Sequence, residues 1–254
     1  MSNTEGNYIY GIIAASERRE FGAIGIGERG DVVYTLPYQN LAAIVSRSPL
    51  VKYAVTRDNS LAHARVLEKA LEEGYTVLPV RFCTIAEQEG IIVERVLSAR
   101  YLELLDLVRG MEGKVELGVR TRWTDLDAIF AEIVAEHSEI KAIKEALLSE
   151  RNEQKQYAGK IKIGQLVQKA LEEKKNREAE ELLASLRPFS LAWKKNQLYG
   201  DMHVVNAAFL VAKEREKEFD CKIQELEEAY GARKKLKYVG PMAPYNFVEV
   251  VINL

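Results

Sequence analysis

The first half of the chain alternates short apolar runs with stretches of helical spacing. The runs that predict strands lie at residues 8–15, 31–38, 41–45, 76–82 and 115–123. Between them, apolar residues at helical spacing predict two long helices, at 58–74 and 92–108. Asp58 is suited to cap the first helix, and Gly74 is suited to end it.

We expect these elements to form a ferredoxin-like α+β domain over residues 1–123. In that plan two helices cover one face of a sheet of about four or five strands. Pro79 lies inside a predicted strand, and because proline has no N–H to donate, we expect that strand at an edge or at a bulge. The last predicted strand, at 115–123, completes the same sheet.

The second half opens with helical patterns and closes on strands. Thr124 is suited to cap a helix whose apolar stripe runs from Leu126 to Leu147. Residues 149–160 are almost wholly polar, which predicts a loop or an exposed helical turn. Further elements are predicted as a helix at 163–171, a strand at 189–193, a strand buried on both faces at 204–211 and a helix at 219–230 that ends at Gly231.

These later elements predict a C-terminal, helix-rich α+β domain over residues 124–237, for which a second ferredoxin-like unit is an alternative. Residues 238–254 follow as a tail. The use of basic residues supports a boundary near Trp123, since residues 1–123 contain 12 Arg and 3 Lys whereas residues 124–254 contain 5 Arg and 16 Lys. We therefore expect two domains and a tail that docks back on the protein.

Composition and charge argue against several classes of protein. Of 254 residues, 47% are hydrophobic and 29% are charged, which is typical of globular domains with a sizeable core. The net charge of −2 creates no overall field for nucleic acid or for an anionic lipid membrane. No apolar run approaches the roughly 20 residues of a membrane span. Because Cys83 and Cys221 are far apart, a disulfide framework is not expected, and the cytoplasm is the natural compartment.

The segment Gly25–Gly30 has the glycine spacing of a dinucleotide-binding loop. That function needs a strand before the glycines and a helix after them, because the helix N-terminus binds the pyrophosphate. Here the strand-like residues 31–35 follow, and no acidic residue stands about 20 positions further on. We therefore interpret the segment as a flexible loop and predict no cofactor.

The histidines and cysteines give no metal-binding pattern. The three histidines are His63, His137 and His203. No two of them lie within one helical turn of each other, and no cysteine or carboxylate spacing resembles a zinc site. A nucleophilic pair of Cys83 and His63 stays open as an alternative to ordinary packing. Since no convergent set of acid, base and nucleophile is found, we predict neither a catalytic site nor a metal site.

Two runs of charge in the second half are interpreted as solvated surface. Glu172–Lys175, together with the glutamates at 178–181, predicts an exposed helix face with local ion pairs. Arg233–Lys237 is the strongest basic cluster, but the acidic residues at 225–228 precede it closely, which argues against a stripe for nucleic acid. Cations near the end of a helix are the simpler explanation.

Arg81 differs from these runs because it interrupts an apolar strand. An isolated charge inside a core is costly, so we expect Arg81 to pair with a carboxylate in the core or at the domain junction. A contact with a partner protein is the alternative.

Three stretches, in order along the chain, carry a resemblance to one family. Val77–Thr84 resembles the Val-Leu-Pro-x-Arg-Phe-Gly-Thr signature of the gas vesicle GvpF/GvpL family. Lys114–Arg120 resembles the family's Lys-x-Glu-x-x-Val/Leu block, and residues 240–247 resemble its Gly-Pro-Trp-Pro-Pro-Tyr-x-Phe ending. The chain departs from these patterns at Cys83, Met242 and Ala243. Because several motifs occur in order, the resemblance covers essentially the whole chain.

The tail holds most of the residues to which we assign a structural or interface role. Pro241 fixes its own φ, and Pro244 restricts the residue before it to extended geometry. The apolar side chains that follow, among them Tyr245 and Phe247, are either core residues or an exposed anchor. We expect intramolecular docking, near the domain junction. The candidate structural or interface residues are Arg81, Pro241, Pro244, Tyr245 and Phe247.

The resemblance implies a non-enzymatic gas vesicle protein, an accessory or minor structural component. It implies binding to the hydrophobic GvpA-type shell protein and to other gas vesicle accessory proteins during assembly, in the cytoplasm or on the inner surface of the vesicle. Nucleic acid and lipid membrane are not expected as partners, and the motifs do not separate a GvpF-type role from a GvpL-type role. Because ferredoxin-like domains host many functions, a small-molecule-binding or enzymatic α+β protein is the alternative.

Overall fold

The computed structural model describes residues 5–253, so Leu254 of the expected tail lies outside it. Its first elements are β1 (Glu5–Ile13), β2 (Glu20–Gly22), β3 (Val33–Tyr38), β4 (Leu41–Pro49), α1 (Arg57–Glu72) and β5 (Val77–Ala86). These strands form one sheet in the order β2-β3-β4-β1-β5, and every neighbouring pair for which a register is defined is antiparallel. The strand with Pro79 therefore lies at an edge of the sheet, as the sequence predicts.

The N-cap of helix α1 lies two residues before the predicted one. Thr56, not Asp58, is the N-cap, and its side chain accepts a hydrogen bond from the N–H of Asn59. Asp58 lies in the first turn, where its negative charge favours the N-terminal end of the helix. The helix ends at Glu72, and Gly74 follows with a φ of +90°, a left-handed conformation that glycine adopts without strain.

The predicted helix at 92–108 is interrupted. A short helix α2 (Glu89–Ile91) continues as a π-helix over Ile92–Ser98, and α3 (Tyr101–Met111) begins after a break. At the break Arg100 has a φ of −116° and a ψ of 21°, outside helical geometry. The apolar stripe in the sequence continues across the break, so the stripe alone could not reveal it.

The helices of this half lie on opposite faces of the five-stranded sheet. Tyr8 and Tyr10 pack in one apolar cluster with Val66 of α1, whereas Ile9 packs in another with Leu104 of α3. Successive residues of a strand point to opposite faces, so the two clusters lie on the two faces. The α+β class is confirmed, but the expected placement of both helices on one face is wrong.

The second half contributes β6 (Lys114–Trp123), α4 (Leu126–Glu136), α5 (Ser138–Ser149), α6 (Glu153–Leu186), β7 (Ala192–Lys195), β8 (His203–Ala212), α7 (Glu216–Tyr230) and β9 (Lys234–Met242), with short 3₁₀ turns at Arg187–Phe189 and Lys213–Arg215. The second sheet has the order β7-β8-β6-β9. The prediction that β6 completes the first sheet is therefore wrong, because its hydrogen-bonded neighbours are β8 and β9.

One further prediction for this half needs correction, and three agree with the structure. The polar residues from Glu153 onward are exposed helical turns at the start of the 34-residue helix α6, as one of the two predicted alternatives has it, and Asn152 caps the helix through the N–H of Lys155. Thr124 does not cap α4. The cap is Asp125, whose side chain accepts hydrogen bonds from the N–H groups of Asp127 and Ala128. The buried strand β8 and the end of α7 at Gly231 agree with the prediction.

The chain divides into two compact units. One comprises Met1–Leu117, Leu210–Glu214 and Val239–Leu254, and the other comprises Gly118–Phe209 and Arg215–Tyr238. Among residues 5–253, no helix is both long and apolar enough to cross a membrane.

Candidate binding surface at the C-terminal tail

The tail leaves β9 at a position that only glycine fits. Gly240 has a φ of +134°, and a Cβ there would lie 2.9 Å from the carbonyl oxygen of Glu116 and 2.9 Å from a methyl carbon of Leu117. The next peptide bond, Gly240–Pro241, is cis, and Pro241 is exposed. This close approach sets the direction in which the tail leaves the strand.

A compact turn follows, centred on Pro244. Its carbonyl oxygen accepts hydrogen bonds from the N–H groups of Phe247 and Val248, at 3.0 and 2.9 Å. Pro244 is buried and Phe247 is half-buried, whereas Tyr245 remains 37% exposed. The backbone N–H and the side-chain amide of Asn246 donate to the two carboxylate oxygens of the buried Glu116, at 2.7 and 2.5 Å. Glu116 therefore holds the turn in place.

Beyond the turn, the tail runs parallel to the edge strand β5. Val250 pairs with Val80, its N–H donates to the carbonyl oxygen of Pro79 at 3.1 Å, and its carbonyl oxygen accepts from the N–H of Arg81 at 3.4 Å. Val248 and Val250 are buried in the cluster on the α3 face of the sheet. Burial of these two side chains removes apolar area from water and holds the segment on the sheet.

Arg81 pairs with Glu249 at the surface of this segment. Its Nε donates to a carboxylate oxygen at 3.1 Å, and the two side chains are 59% and 52% exposed. The hydrogen bond to Glu249 raises the pKa of Arg81. The expectation of a core position for Arg81 is wrong, because the side chain reaches solvent where the tail lies against β5.

An open concavity of about 290 Å³ is lined by residues of the tail, of α1 with the segment before it, and of β5. Its lining is mainly apolar and includes Val55, Phe82, Tyr245 and Val248, with the Arg81–Glu249 pair at one side. Val55, in the segment just before α1, is 83% exposed. The concavity therefore combines an accessible apolar surface with one pair of charges, an arrangement suited to binding an apolar segment of another protein.

A hydroxyl stands between the two members of the candidate nucleophilic pair. The Tyr8 hydroxyl lies 3.0 Å from Nδ1 of His63 and accepts a hydrogen bond from the N–H of Cys83 at 2.8 Å, and the Cys83 sulfur accepts from the N–H of Tyr53 at 3.2 Å. Burial raises the pKa of Tyr8 and lowers the pKa of His63 to about 4. His63 is thus neutral near pH 7, and the described contacts are those of ordinary packing.

Cys83 also has an unusual backbone. Its φ is +64°, in the left-handed region that favours glycine. The family signature that this stretch resembles has glycine at the same position, and the backbone conformation supplies the physical reason. The sequence alone shows the substitution but not the strain.

The glycine-rich segment forms the connection between β2 and β3. Gly27 and Gly30 have φ values of +89° and +73°, and the N–H of Ile26 donates to the hydroxyl of Tyr10 at 2.8 Å. A strand follows it, as the sequence indicates, so the glycines do not lead into a helix N-terminus.

The charge runs of the second half are solvated only in part, since Glu172, Glu173, Lys235 and Lys237 are exposed, as predicted, whereas other members are buried. Glu178, only 8% exposed, accepts hydrogen bonds from Trp123 at 2.8 Å and from Arg233 at 2.6 and 3.1 Å, and its carboxylate lies 2.8 Å from Nζ of Lys234. Lys174 is 5% exposed and pairs with carboxylates of α4. Arg233 and Lys234 are therefore bound inside a charged cluster, and sequence reasoning missed Glu178 because one acidic residue in a charged helix looks like any other.

Burial and hydrogen bonding act in opposite directions on Glu178. Burial alone raises the pKa of its carboxyl, but the hydrogen bonds from Arg233, Lys234 and Trp123 outweigh burial and lower the pKa to about 2. Hydrogen bonds from Arg233 and Lys174 likewise lower the pKa of Glu132 to about 2, against a smaller effect of burial. Both carboxylates are charged near neutral pH. Within residues 5–253, no group of three or more potential ligand side chains is placed to hold a metal ion.

Residues 6–249 match the sequence model of a family described as "Gas vesicle synthesis protein GvpL/GvpF". The chain belongs to the GvpL/GvpF family.

Two relatives illustrate the extent of the similarity. Gas vesicle protein F of Haloferax mediterranei is 29% identical over 97% of this chain and 94% of its own length. Gas vesicle protein F of Dolichospermum flosaquae is 25% identical over 96% of this chain and 97% of its own length. The similarity thus extends over nearly the whole of each protein.

Solved structures show the same fold. The crystal structure of GvpF from Anabaena sp. PCC7120 matches with a TM-score of 0.82 at 24% identity, over 97% of this chain and 99% of that one. The crystal structure of GvpF from Microcystis aeruginosa matches with a TM-score of 0.77 at 23% identity, over 95% and 98% of the two chains.

Proposed function

We propose that this chain is an accessory or minor structural protein of gas vesicles. In this role it binds the hydrophobic GvpA-type shell protein and other gas vesicle proteins during assembly. The observation that carries the proposal is the family match over residues 6–249, because it covers almost the entire chain. The role is that of a binding protein, and the protein acts at the assembly site or on the inner surface of the vesicle.

The concavity beside the tail is the surface proposed for shell subunits. A subunit with a large apolar face aggregates unless it is held or promptly assembled. Val55 and Tyr245 present accessible apolar area there, and Arg81 and Glu249 supply polar groups at the side of the concavity. Such a surface can shield an apolar segment without enclosing it.

Deletion of the gene from an intact gas vesicle cluster tests the role in assembly. We expect few or no gas-filled vesicles without it, and restoration of vesicles when the unaltered gene is returned. Vesicles of normal number and shape in the deletion strain would refute the role in assembly.

The proposed surface is tested by Val55→Asp, with Val51→Asp as the matched control. Val55 is 83% exposed and lines the concavity, whereas Val51 is 51% exposed and is not part of its lining. We expect Val55→Asp to reduce co-purification of the shell protein from the same gene cluster, and Val51→Asp to leave it unchanged. Equal losses in both variants would place the binding surface elsewhere.

A small-molecule-binding or enzymatic role is the alternative in a different class. The polar residues that line the concavity include a neutral His63 and the paired Arg81 and Glu249. The hydroxyl of Ser60 also lines it and donates to the carbonyl oxygen of Thr56 at 2.7 Å, so the described contacts do not join a nucleophile to a base. Thermal unfolding in the presence of nucleotides and metal ions tests this alternative, because a bound ligand stabilises the folded state. A saturable stabilisation would favour it over the proposed role.

A further inference from the structure

One face of the second sheet carries a dense group of cations. On the central strand β6, Arg120 and Arg122 are exposed, while Val119 and Trp123 point to the buried side. On the neighbouring strand β9, Lys235 is likewise exposed. The alternation of a strand therefore places the cations on one face of the sheet and the apolar side chains on the other.

These cations share one concavity of about 250 Å³. The residues that line it, which we call the basic face, are Arg120, Thr121, Arg122, His203, Lys235 and Lys237. All of them lie in the unit made of Gly118–Phe209 and Arg215–Tyr238. The basic face is thus a property of that unit alone.

The charges of the basic face are not neutralised by carboxylates of the described chain. Nε of Arg120 donates to the side-chain oxygen of Asn206 at 3.2 Å, a neutral partner. Within residues 5–253, no ion pair involves Arg122, Lys235 or Lys237. Their neighbours in sequence, Arg233 and Lys234, are by contrast bound to Glu178 and Glu132. Within β9, the buried and paired Lys234 thus alternates with the exposed Lys235 and Lys237.

We propose that the basic face binds a segment of a partner protein that is rich in Asp and Glu. Charge complementarity is the first argument, because four cations in one concavity create a local positive potential in a chain whose net charge is −2. The forked guanidinium groups of Arg120 and Arg122 match carboxylates, which they can bind in a bidentate way. The face lies outside the tail region, so this binding does not depend on the role proposed for the tail.

An acidic protein segment fits the basic face better than single-stranded nucleic acid. Sheets that bind single strands offer aromatic rings on which bases stack. Among the residues that line the basic face, none is Phe, Tyr or Trp. Elsewhere in the same unit, the ring of Trp193 lies under the guanidinium group of Arg187 at 4.3 Å, and the hydroxyl of Tyr238 donates to Asp220.

The test measures binding of a short synthetic peptide of alternating Glu and Asp to the full chain. The variant is Arg122→Glu with Lys235→Glu, and the matched control is Lys141→Glu with Lys144→Glu on the exposed side of α5, which changes the net charge equally. We expect the first variant to weaken binding at least about tenfold and the control to weaken it far less. We also expect added salt to weaken binding to the unaltered chain, as for exposed charges.

Several outcomes would overturn the proposal. They are an absence of peptide binding, equal weakening in the two double variants, and tighter binding of a single-stranded oligonucleotide or an anionic lipid vesicle than of the peptide. Self-association that disappears in the first variant would instead identify a second copy as the occupant. Arg122→Lys keeps the charge but loses the fork of the guanidinium group. Binding weaker than that of the unaltered chain but stronger than that of the first variant, with unchanged thermal unfolding of all variants, would therefore support the proposal.

Discussion

Charged groups have opposite roles in two regions of this protein. At the tail, Arg81 and Glu249 pair in solvent, while the buried side chains of Val248 and Val250 hold the segment on the sheet. In the other region, the charges of Glu178 and Lys234 are themselves buried. An exposed pair gains little because water screens it, whereas a buried charge that loses its partner remains without solvation.

The comparison teaches that the contribution of an ion pair to stability depends on how deeply the pair is buried. The distances are similar, 3.1 Å between Arg81 and Glu249 and 2.6 Å between Arg233 and Glu178. Exposure and the number of partners separate them, since the Glu249 side chain is 52% exposed, whereas the Glu178 side chain is 8% exposed and also binds Trp123 and Lys234. Distance alone would rank the two pairs as equals, whereas substitutions in the two places should lower the free energy of unfolding by different amounts.

The largest effect is expected for Glu178→Ala. Removal of this carboxylate leaves Lys234 and the indole N–H of Trp123 without their acceptor in a buried place, which costs about 3–5 kcal/mol of unfolding free energy. Urea unfolding followed by tryptophan fluorescence measures the loss. Glu180→Gln is the control, because Glu180 is 53% exposed and pairs with Arg187 at the surface. A similar loss in both variants would mean that burial does not separate the two regions.

Acid should weaken the same cluster. In the folded chain the pKa of Glu178 is about 2 instead of the usual 4.5, so the unfolded state binds protons first as the pH falls. The stability contributed by this carboxylate is complete above about pH 4.5 and is lost as the pH decreases towards 2. Unfolding curves at a series of pH values should show this loss, and Glu178→Gln should show less of it. A stability that stays constant through this range would contradict the assignment.

An intermediate effect is expected for Val250→Ala. The substitution removes two buried methyl groups from the anchor of the tail, at about 0.8 kcal/mol each. Hydrogen exchange of the N–H of Arg81, which donates to Val250, should accelerate as the tail detaches more often. Val251→Ala provides the control, because Val251 is only half-buried. In this variant the N–H of Arg81 should exchange at the rate seen in the unaltered chain.

The smallest effect is expected for Arg81→Ala. Because the Arg81–Glu249 pair is exposed, its removal should leave the midpoint of thermal unfolding unchanged within error. A clear decrease, comparable with that of Val250→Ala, would show that the ion pair rather than apolar burial holds the tail.

Strong local patterns predicted their elements well. The nearly continuous apolar run of β8 and the stripe of α7 with Gly231 at its end left little choice of structure. The first turns of α6, residues 153–160, were predicted only as a loop or an exposed helical turn because they carry no apolar stripe, although Glu, Lys and Gln favour a helix by themselves. Periodicity reports which face is buried, so a solvated helix gives no such signal.

Long-range pairing could not be predicted from local patterns. The strand propensity of β6 was correct, but its partners β8 and β9 lie about a hundred residues further on in the sequence, and no local signal names them. In the candidate site, the motifs identified Arg81 and the tail prolines, but not the contact of Arg81 with Glu249 or the contact of the tail with Glu116. Those depend on which segments meet in space.

The parallel contact between Val80 and Val250 has a consequence for how the protein can be stored at high concentration. β5 is the outer strand of its sheet, and its backbone groups at Pro79 and Arg81 are already bonded to the tail. An outer strand with vacant groups is a template on which further copies add and grow into aggregates. The tail thus covers part of this edge. If the last residues are lost, we expect concentrated solutions of the protein to become turbid through aggregation before the protein unfolds.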